Sequence, residues 1–369
     1  MDAATSRRLL SLSSLFLMEG RALGVEPLGS GLINDTFLVR SSGPEDYVLQ
    51  RINDSVFRYV PLLQSNIAAV TGHLRAKLLS AGVEDAGRRV LRFLEAADGS
   101  GNSFVRDENG GWWRMSVFIR GSVTRDALDA AGAEAAGLAF GGFEEQLSDL
   151  PATLGETIPH FHDIEFRLEG FRSSLARDAA GRTGEIDAAG LAEGILRYAD
   201  EMSLCGRLHR EGKLPKRICH CDPKLNNILF DASGGGILCV IDLDTVMPSF
   251  VFSDFGDFLR TAANSLPEDS PEFSGIDFCM DVFRPFASGY LKAATFLTPA
   301  EKENLPYAAC LFPYMQAVRF LADYLDGDVY YRTSYPGHNL VRARNQWALF
   351  LSARSKLSEM QDFINEYNG

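Results

Sequence analysis

Residues 219–230 read Cys-His-Cys-Asp-Pro-Lys-Leu-Asn-Asn-Ile-Leu-Phe, and no other stretch of the chain is as informative. The stretch contains the pattern His-x-Asp-x-x-x-x-Asn, formed by His220, Asp222 and Asn227. An apolar run follows Asn227 at once, and a second apolar run over residues 237–241 ends in Asp242. We therefore predict a loop followed by two short strands.

This spacing of polar residues is typical of kinase-type phosphoryl-transfer sites. In such sites the first Asp accepts or orients the proton of the attacking hydroxyl, while the Asn and the second Asp hold Mg²⁺ against the nucleotide phosphates. The pattern predicts Asp222 as the catalytic base, and Asn227 and Asp242 as metal ligands. An ordinary loop with two Asx turns is the alternative. It does not explain His220 together with the five-residue spacing and the strand that ends in Asp242.

The residues around this pattern have roles that the sequence leaves partly open. Lys224 either stabilises charge on the transferring phosphoryl group or pairs with a surface carboxylate. His220 is expected to brace the loop by a hydrogen bond to nearby backbone. Asp244 is either a second metal ligand or the partner of a basic residue. Asp254 does not directly follow the strand, so we predict that it braces the catalytic loop from the start of a helix.

Composition narrows the class of protein. A chain of 369 residues exceeds one compact core, so we expect two lobes, over residues 1–120 and 121–369. The formal net charge of −13 disfavours nucleic acid and anionic membrane as partners. No apolar run approaches the roughly 20 residues of a membrane-spanning helix. The six cysteines are scattered, which suggests reduced thiols in a cytoplasmic protein, and nothing in the sequence implies a protein partner.

Hydrophobic periodicity predicts an α+β fold. Strands are expected within residues 24–52 and on both sides of the turn at 107–111, and a helix over residues 61–80. The N-terminal residues 1–20 suit an amphipathic helix better than a signal peptide, because no small-x-small cleavage site follows the apolar stretch. From about residue 126 the pattern is mostly helical. The prediction is a bilobal, protein-kinase-like fold with a small β-rich N-lobe and a larger α-helical C-lobe.

The turn at residues 29–36 is a candidate phosphate cradle. It reads Gly-Ser-Gly-Leu-Ile-Asn-Asp-Thr and contains Gly31, Asn34 and Thr36. Backbone N–H groups in a glycine-containing turn between strands bind phosphate well. Two nearby glycines also occur in many ordinary hairpins, so the pattern alone is weak.

Two further residues are candidates for nucleotide binding. Arg51 stands in a strand where a phosphate-binding lysine is expected, and alternation places it on the same face as Leu49. A surface arginine is the alternative. Phe118 lies in the apolar stretch 115–119, whose side chains would either sandwich adenine or belong to an ordinary core strand.

Two polar segments of the C-terminal part suggest binding of small molecules. Residues 319–331 combine an arginine, several acidic residues and tyrosines, which is how pockets hold sugars. Arg319 and Asp323 are one helical turn apart, so an ordinary ion pair is the alternative. His160 and His162 suggest a metal cluster, but Pro159 precedes them and we expect a capped loop.

The motif around Asp222 resembles the aminoglycoside phosphotransferase/choline kinase superfamily, and the chain as a whole resembles the N-acetylhexosamine 1-kinases. Four segments carry the second resemblance: residues 31–36, residues 48–53, residues 222–227 with 240–245, and residues 319–328. The resemblance implies ATP- and Mg²⁺-dependent phosphorylation of the anomeric hydroxyl of N-acetylglucosamine or N-acetylgalactosamine. It assigns Arg319 and Tyr330 as sugar contacts. Relatives often have His where this chain has Leu32, so one sugar contact differs.

Two other functions fit the same residues. One is phosphorylation of another small alcohol, such as an aminoglycoside, choline or homoserine. Aminoglycosides and choline are cations that would need carboxylates or aromatic cages, whereas Arg319 suits a neutral polyol better. The other is a nucleotide-binding pseudokinase that acts as a scaffold. The intact Asp222, Asn227 and Asp242 argue against it.

Overall fold

The computed structural model of the chain describes residues 1–29, 33–125, 128–187 and 190–367. The strands are β1 (Ala22–Pro27), β2 (Asp35–Ser41), β3 (Tyr47–Ile52), β4 (Phe104–Arg106), β5 (Trp112–Val117), β6 (Ser122–Val123), β7 (Arg217–Cys219), β8 (Ile228–Asp231), β9 (Ile237–Val240) and β10 (Met247–Ser249). The α-helices are α1 (Ala3–Ser13), α2 (Val60–Ser80), α3 (Ala86–Arg89), α4 (Ala130–Leu147), α5 (Ile164–Arg177), α6 (Thr183–Asp187), α7 (Leu191–Met202), α8 (Leu204–Arg210), α9 (Phe252–Ala262), α10 (Met280–Ala293), α11 (Pro299–Glu303), α12 (Leu305–Asp326), α13 (His338–Ser355) and α14 (Leu357–Tyr367). The predicted β-rich N-terminal part and helical C-terminal part are confirmed.

The described chain divides into two compact units. The first unit consists of Met1–Arg125, Asp149–Pro159 and Asn227–Met247, and the second of Asp126–Ser148, His160–Asn226 and Pro248–Gly369. The division into lobes at residue 120 stays a prediction.

The first unit contains an antiparallel sheet in the order β1-β2-β3-β5-β4. The predicted strand pairs on either side of the turns at residues 41–44 and 107–111 are confirmed by the β2–β3 and β4–β5 pairings. The amphipathic helix α1 buries Leu9 and Leu12 in a cluster with Tyr47, Leu49 and Met115 of the sheet. Because side chains alternate along a strand, this apolar face leaves the neighbouring positions of β3 and β5 for polar residues.

Helix α2 and a small second sheet complete the first unit. The predicted helix over 61–80 is confirmed by α2, whose Asn66 donates to the carbonyl oxygens of Gly155 at 2.8 Å and Val246 at 3.0 Å. The second sheet has the order β6-β8-β9, and the β8–β9 pairing is antiparallel. Asn66 thereby links α2 to the segment that follows β9.

Helices form the core of the second unit. Helix α12 is almost entirely buried and packs against α5, α9 and α13. Helices α4 and α10 pack so closely that a Cβ atom at Gly137 would lie 2.1 Å from the carbonyl oxygen of Phe286. Only glycine permits that approach without a backbone shift. The short β7 pairs with β10 and leads directly into the loop that begins at His220.

Candidate active site

The loop that holds Asp222 is fixed by a buried carboxylate. Asp254, in the first turn of α9, is fully buried and accepts the backbone N–H groups of His220 and Cys221, each at 2.7 Å. Cys221 has a left-handed φ of 64°, an unfavourable conformation for a non-glycine residue that these bonds maintain. The Nδ1 atom of His220 accepts the N–H of Asp222 at 3.2 Å. The predicted bracing roles of His220 and Asp254 are confirmed.

Lys224 pairs with the predicted base itself. Its Nζ atom lies 2.8 Å from Oδ1 and 3.0 Å from Oδ2 of Asp222. Burial opposes the charge on Lys224, but the carboxylates of Asp222 and then Asp257 hold the pKa of Lys224 above its ordinary value. A permanent positive charge therefore stands beside the carboxylate that would receive the proton.

The two predicted metal ligands are neighbours in the first unit. Asn227 directly precedes β8 and Asp242 comes two residues after β9 ends. Ile228 pairs with Val240, and the Ile241 N–H donates to the Asn227 carbonyl oxygen at 2.9 Å. Asn227 and Asp242 therefore share one end of the β8–β9 ribbon. An amide oxygen and a carboxylate are hard oxygen donors of the kind that Mg²⁺ prefers, so these residues fit the ion.

Asp244 is engaged with a basic residue. Its Oδ1 atom forms an ion pair with Arg114, and its Oδ2 accepts the Asn34 amide at 2.6 Å. The carboxylate and the guanidinium are both buried, with 4% and 2% of each side chain exposed. Of the two roles left open, the structure supports the pairing with a basic residue.

A row of polar side chains crosses the sheet towards Asp244. The register aligns Thr36 with Gln50 and Gln50 with Arg114. Gln50 donates to Thr36 Oγ1 at 3.1 Å and accepts from Arg114 Nε at 3.0 Å. Asn34 also accepts the N–H of Asn53 at 2.9 Å. The candidates Asn34 and Thr36 therefore lie in one network on one face of the sheet.

The remaining nucleotide candidates lie elsewhere. Arg51 shares the face of Leu49, as expected, but its side chain is half exposed and lies 3.7 Å from Asp35. The structure does not bring Arg51 into the network of Thr36. Phe118 is partly buried just beyond β5, where its N–H donates to the Asp46 carbonyl oxygen at 2.9 Å. The candidate Gly31, like Leu32, lies outside the described residues.

A buried cluster of two acidic side chains and a cysteine adjoins the catalytic loop. Ligand atoms of Glu144, Cys219 and Asp254 lie within 4.8 Å of one another. Burial, and then the charge of Asp254, raises the pKa of Glu144 well above its ordinary value, and burial also raises the pKa of Cys219. The hydroxyl of Tyr290 donates to Glu144. The raised pKa values favour the protonated forms of both groups, which fits structural support better than metal binding.

Asp323 positions the polar segment after α12. Its Oδ1 accepts the N–H groups of Val329 at 2.9 Å and Tyr330 at 2.7 Å, and its Oδ2 accepts that of Tyr331 at 3.0 Å. The Asn339 amide donates to the same Oδ2 at 2.8 Å. Asp323 is thus engaged with the loop, not with Arg319, and it presents the two tyrosines.

Arg319 lies beside those tyrosines. Its guanidinium stands 5.5 Å from the ring of Tyr331 and 5.3 Å from the ring of Phe161. Tyr330 is exposed and contacts Tyr331 edge-on, with 4.8 Å between ring centroids. The candidates Arg319 and Tyr330 are therefore brought together through Tyr331.

The two histidines near Arg319 have different environments. His160 lies 3.0 Å from Asp163, which accepts the Phe166 N–H at the start of α5. The expected capped loop is confirmed. Burial lowers the pKa of His162 to about 3, so this ring is neutral at ordinary pH.

Sequence analysis missed several residues that the structure places at these sites. Gln50 and Arg114 interrupt apolar strands with polar side chains on one face, and this interruption was the available signal. Arg167 had no comparable signal, because the charge of Arg319 that acts on it comes from a distant part of the chain.

The chain is similar to a known enzyme family and to several solved kinase structures. The phosphotransferase enzyme family (APH) matches residues 24–299. Spectinomycin phosphotransferase, solved with ADP and spectinomycin, has 12% identity and a TM-score of 0.58 over 96% of this chain and 98% of that chain. An aminoglycoside phosphotransferase from Alicyclobacillus acidocaldarius has 13% identity and a TM-score of 0.59 over 99% and 97%. Choline kinase LicA from Streptococcus pneumoniae has 13% identity and a TM-score of 0.51 over 96% and 99%.

These similarities confirm the predicted kinase-like fold. At such low identity they indicate the fold and not the molecules that are bound. Among the residues that the structure describes, no helix has both the length and the apolar composition to cross a membrane.

Proposed function

This chain belongs to the phosphotransferase enzyme family, and we propose that it is a kinase that transfers the γ-phosphoryl group of ATP to a small alcohol. The observation that carries the proposal is the arrangement of the motif. Asp222 stands in a loop held by Asp254, and five residues later Asn227 shares one end of a β-ribbon with Asp242. This is the order of parts that phosphoryl transfer requires.

The proposed acceptor is the anomeric hydroxyl of N-acetylglucosamine or N-acetylgalactosamine, which gives the sugar 1-phosphate. The sequence segments shared with N-acetylhexosamine 1-kinases support this choice. The Asp323 contacts support it as well, because they hold Tyr330 and Tyr331 beside Arg319. Tyrosine rings next to a hydrogen-bond donor suit a sugar ring.

In the proposed reaction Asp222 accepts the proton of the sugar hydroxyl. At the same time the oxygen of that hydroxyl attacks the γ-phosphorus in line. The bond to the β-phosphate oxygen breaks, and ADP leaves. Lys224 keeps Asp222 oriented and places a positive charge beside the transferring group. Positioning supplies most of the rate enhancement in such reactions.

Nucleotide and metal would be held mainly by the first unit. Asn227 and Asp242 would bind Mg²⁺, which neutralises charge on the phosphates when bound. The turn containing Gly31, Asn34 and Thr36, together with Arg51, is proposed for the phosphates. Phe118 is proposed to contact the adenine.

The experiment measures ATP consumption with Mg²⁺ over N-acetylglucosamine, N-acetylgalactosamine, glucose, galactose, kanamycin, choline and homoserine. We expect turnover with an N-acetylhexosamine and none with its 1-O-methyl glycoside. Turnover with only a cationic alcohol would contradict the sugar assignment and leave the kinase. If nucleotide binds but no compound reacts, the chain is a scaffold instead.

One variant tests the proposed base. Asp222→Asn should abolish nearly all turnover while ATP binding is retained, because the amide cannot accept the proton. Calorimetric titration with ATP provides the binding control. Unchanged turnover in this variant would show that Asp222 is not the base.

A further inference from the structure

Two arginines of the second unit, unlike most others there, form no ion pair with a carboxylate among the residues that the structure describes. In a chain of net charge −13, most arginines of this unit form ion pairs with acidic residues. Examples are Arg177 with Asp326, Arg182 with Asp328, Arg210 with Glu165, Arg217 with Glu301 and Arg354 with Glu201. Arg167 instead donates to the carbonyl oxygen of Phe161 at 3.0 Å, and Arg319 to Gln316 Oε1 at 3.1 Å.

The guanidinium groups of Arg167 and Arg319 both contact Phe161. Phe161 accepts from Arg167 through its carbonyl oxygen, and its ring lies 5.3 Å from the guanidinium carbon of Arg319. The Nε atom of Arg167 is buried and has no hydrogen-bond partner within the described parts of the chain. Burial, followed by the charge of Arg319, lowers the pKa of Arg167 to about 10. Arg167 remains charged at neutral pH, and an anion bound beside it would offset its repulsion from Arg319.

The acidic groups described near this pair have other hydrogen-bonding partners, although the charge of Asp163 also acts on Arg167. Asp257 lies 2.6 Å from Arg260, which also contacts Glu268 at 2.5 Å. Asp163 caps α5 and contacts His160. The adjacent His162 ring is neutral, so it neither adds to nor offsets the positive charge.

The pair is electrostatically linked to the catalytic loop within the second unit. The charge of Asp257 acts on both Lys224 and His162, and the charges of Arg167 and Arg319 act on the same His162. Lys224 in turn contacts Asp222 at 2.8 Å. The two arginines and the proposed base Asp222 belong to the same compact unit.

We propose that Arg167 and Arg319 bind an anionic group of the phosphoryl acceptor, a carboxylate or a phosphate ester on a sugar. Guanidinium groups bind both oxyanions through paired hydrogen bonds. The inference rests on the proposed kinase function and deepens it, because the preferred sugar carries an anionic group while its neutral parent still reacts. The same two charges disfavour cationic acceptors such as choline.

The first experiment compares matched acceptors with the full-length wild-type chain, ATP and Mg²⁺. The pairs are glucose with glucuronate, glucose with glucose 6-phosphate, and N-acetylglucosamine with its 6-phosphate. We expect kcat/KM for an anionic member to exceed that of its neutral parent at least about tenfold. That ratio should fall as the ionic strength is raised from about 0.05 to 0.5 M. The glucuronate and phosphate arms distinguish the two kinds of anion.

The second experiment uses variants. Arg167→Gln and Arg319→Gln should each lower kcat/KM for the anionic acceptor about tenfold or more, mainly through KM. In Arg167→Gln, turnover of the neutral parent should change less than about twofold, because that parent lacks the group that this arginine binds. Arg319→Gln also removes a proposed sugar contact, so it should lower kcat/KM more for the anionic acceptor than for the neutral parent. Arg172→Gln, an exposed arginine on the same helix as Arg167, is the matched control and should change neither.

The outcomes separate the two proposals. Equal kcat/KM for neutral and anionic acceptors, or unchanged selectivity in both variants, would overturn the anionic subsite and leave the kinase. Absence of ATP turnover with every acceptor tested would overturn the kinase function on which the subsite rests. If Arg167→Gln fails to fold, the Arg319→Gln variant and the wild-type salt dependence still decide.

Discussion

The ion pair between Arg114 and Asp244 provides a quantitative test of the network in the first unit. Both side chains are almost fully buried, and each has one further partner: Gln50 at 3.0 Å for Arg114 and Asn34 at 2.6 Å for Asp244. Removing one member leaves the other charge buried with only a neutral amide. Such changes cost about 3–5 kcal/mol. Arg114→Met and Asp244→Leu should each lower the free energy of unfolding by that amount.

The double variant should be far less destabilised than the sum of the two single variants. With both charges replaced by apolar side chains, no unpaired charge remains. The remaining loss is one hydrogen bond each from the partly buried Gln50 and Asn34, about 1 kcal/mol apiece. We therefore expect a total near 2 kcal/mol and a coupling energy of at least about 4 kcal/mol.

Urea denaturation followed by tryptophan fluorescence measures these free energies, since Trp112 and Trp113 lie in β5 beside Arg114. The matched control is the exposed pair of Arg40 and Glu26 in the same sheet, at 3.0 Å. Glu26→Gln should change the unfolding free energy by less than about 1 kcal/mol. Single variants of Arg114 and Asp244 as mild as this control, or strictly additive effects, would refute the reasoning.

Two further predictions concern the support of the catalytic loop. Asp254→Asn should reduce ATP turnover about 5- to 150-fold, because one loop N–H loses its hydrogen-bond acceptor at a cost of about 1–3 kcal/mol. Steady-state kinetics with the substrate found in the panel measures this effect. Turnover within twofold of wild type would contradict it. Burial and the charge of Asp254 raise the pKa of Glu144 well above 4.5, so the folded state binds the extra proton and loses stability as pH rises above that value. The stability of Glu144→Gln relative to the wild type should therefore increase between about pH 5 and 8, as measured by urea denaturation at each pH. If the difference in unfolding free energy between variant and wild type stayed constant across that range, Glu144 would be ionised in the folded protein.

Local patterns predicted the elements well because each element carries its own signal. The β4–β5 hairpin follows from its turn residues, and α2 from the three- and four-residue spacing of its leucines and isoleucines. The catalytic loop was predictable for the same reason, since Asp222 and Asn227 lie five residues apart in one segment. The contact between Asn227 and the residue before Asp242 then follows from the pairing of two consecutive strands.

Residues that depend on distant contacts were not predictable in this way. The partner of Asp244 comes from β5, 130 residues earlier in the chain. The loop that follows α12 is held by Asp323, whereas an ion pair with Arg319 was the alternative role that the sequence left open for Asp323. Spacing of four residues permits such a pair, but three consecutive backbone N–H groups compete for the same carboxylate and occupy it in the structure.

The alternation of β3 shows where sequence reasoning reaches its limit. Alternation correctly places Arg51 on the face of Leu49, and Gln50 on the other, but it cannot tell which face carries α1. The structure places α1 over the face of Leu49, so the polar row of Gln50 and Arg114 lies on the opposite face. A phosphate-binding role for Arg51 therefore requires its exposed side chain to reach around the strand. The row that leads to Asp244 requires no such movement, and Gln50 becomes a position to test beside Arg51.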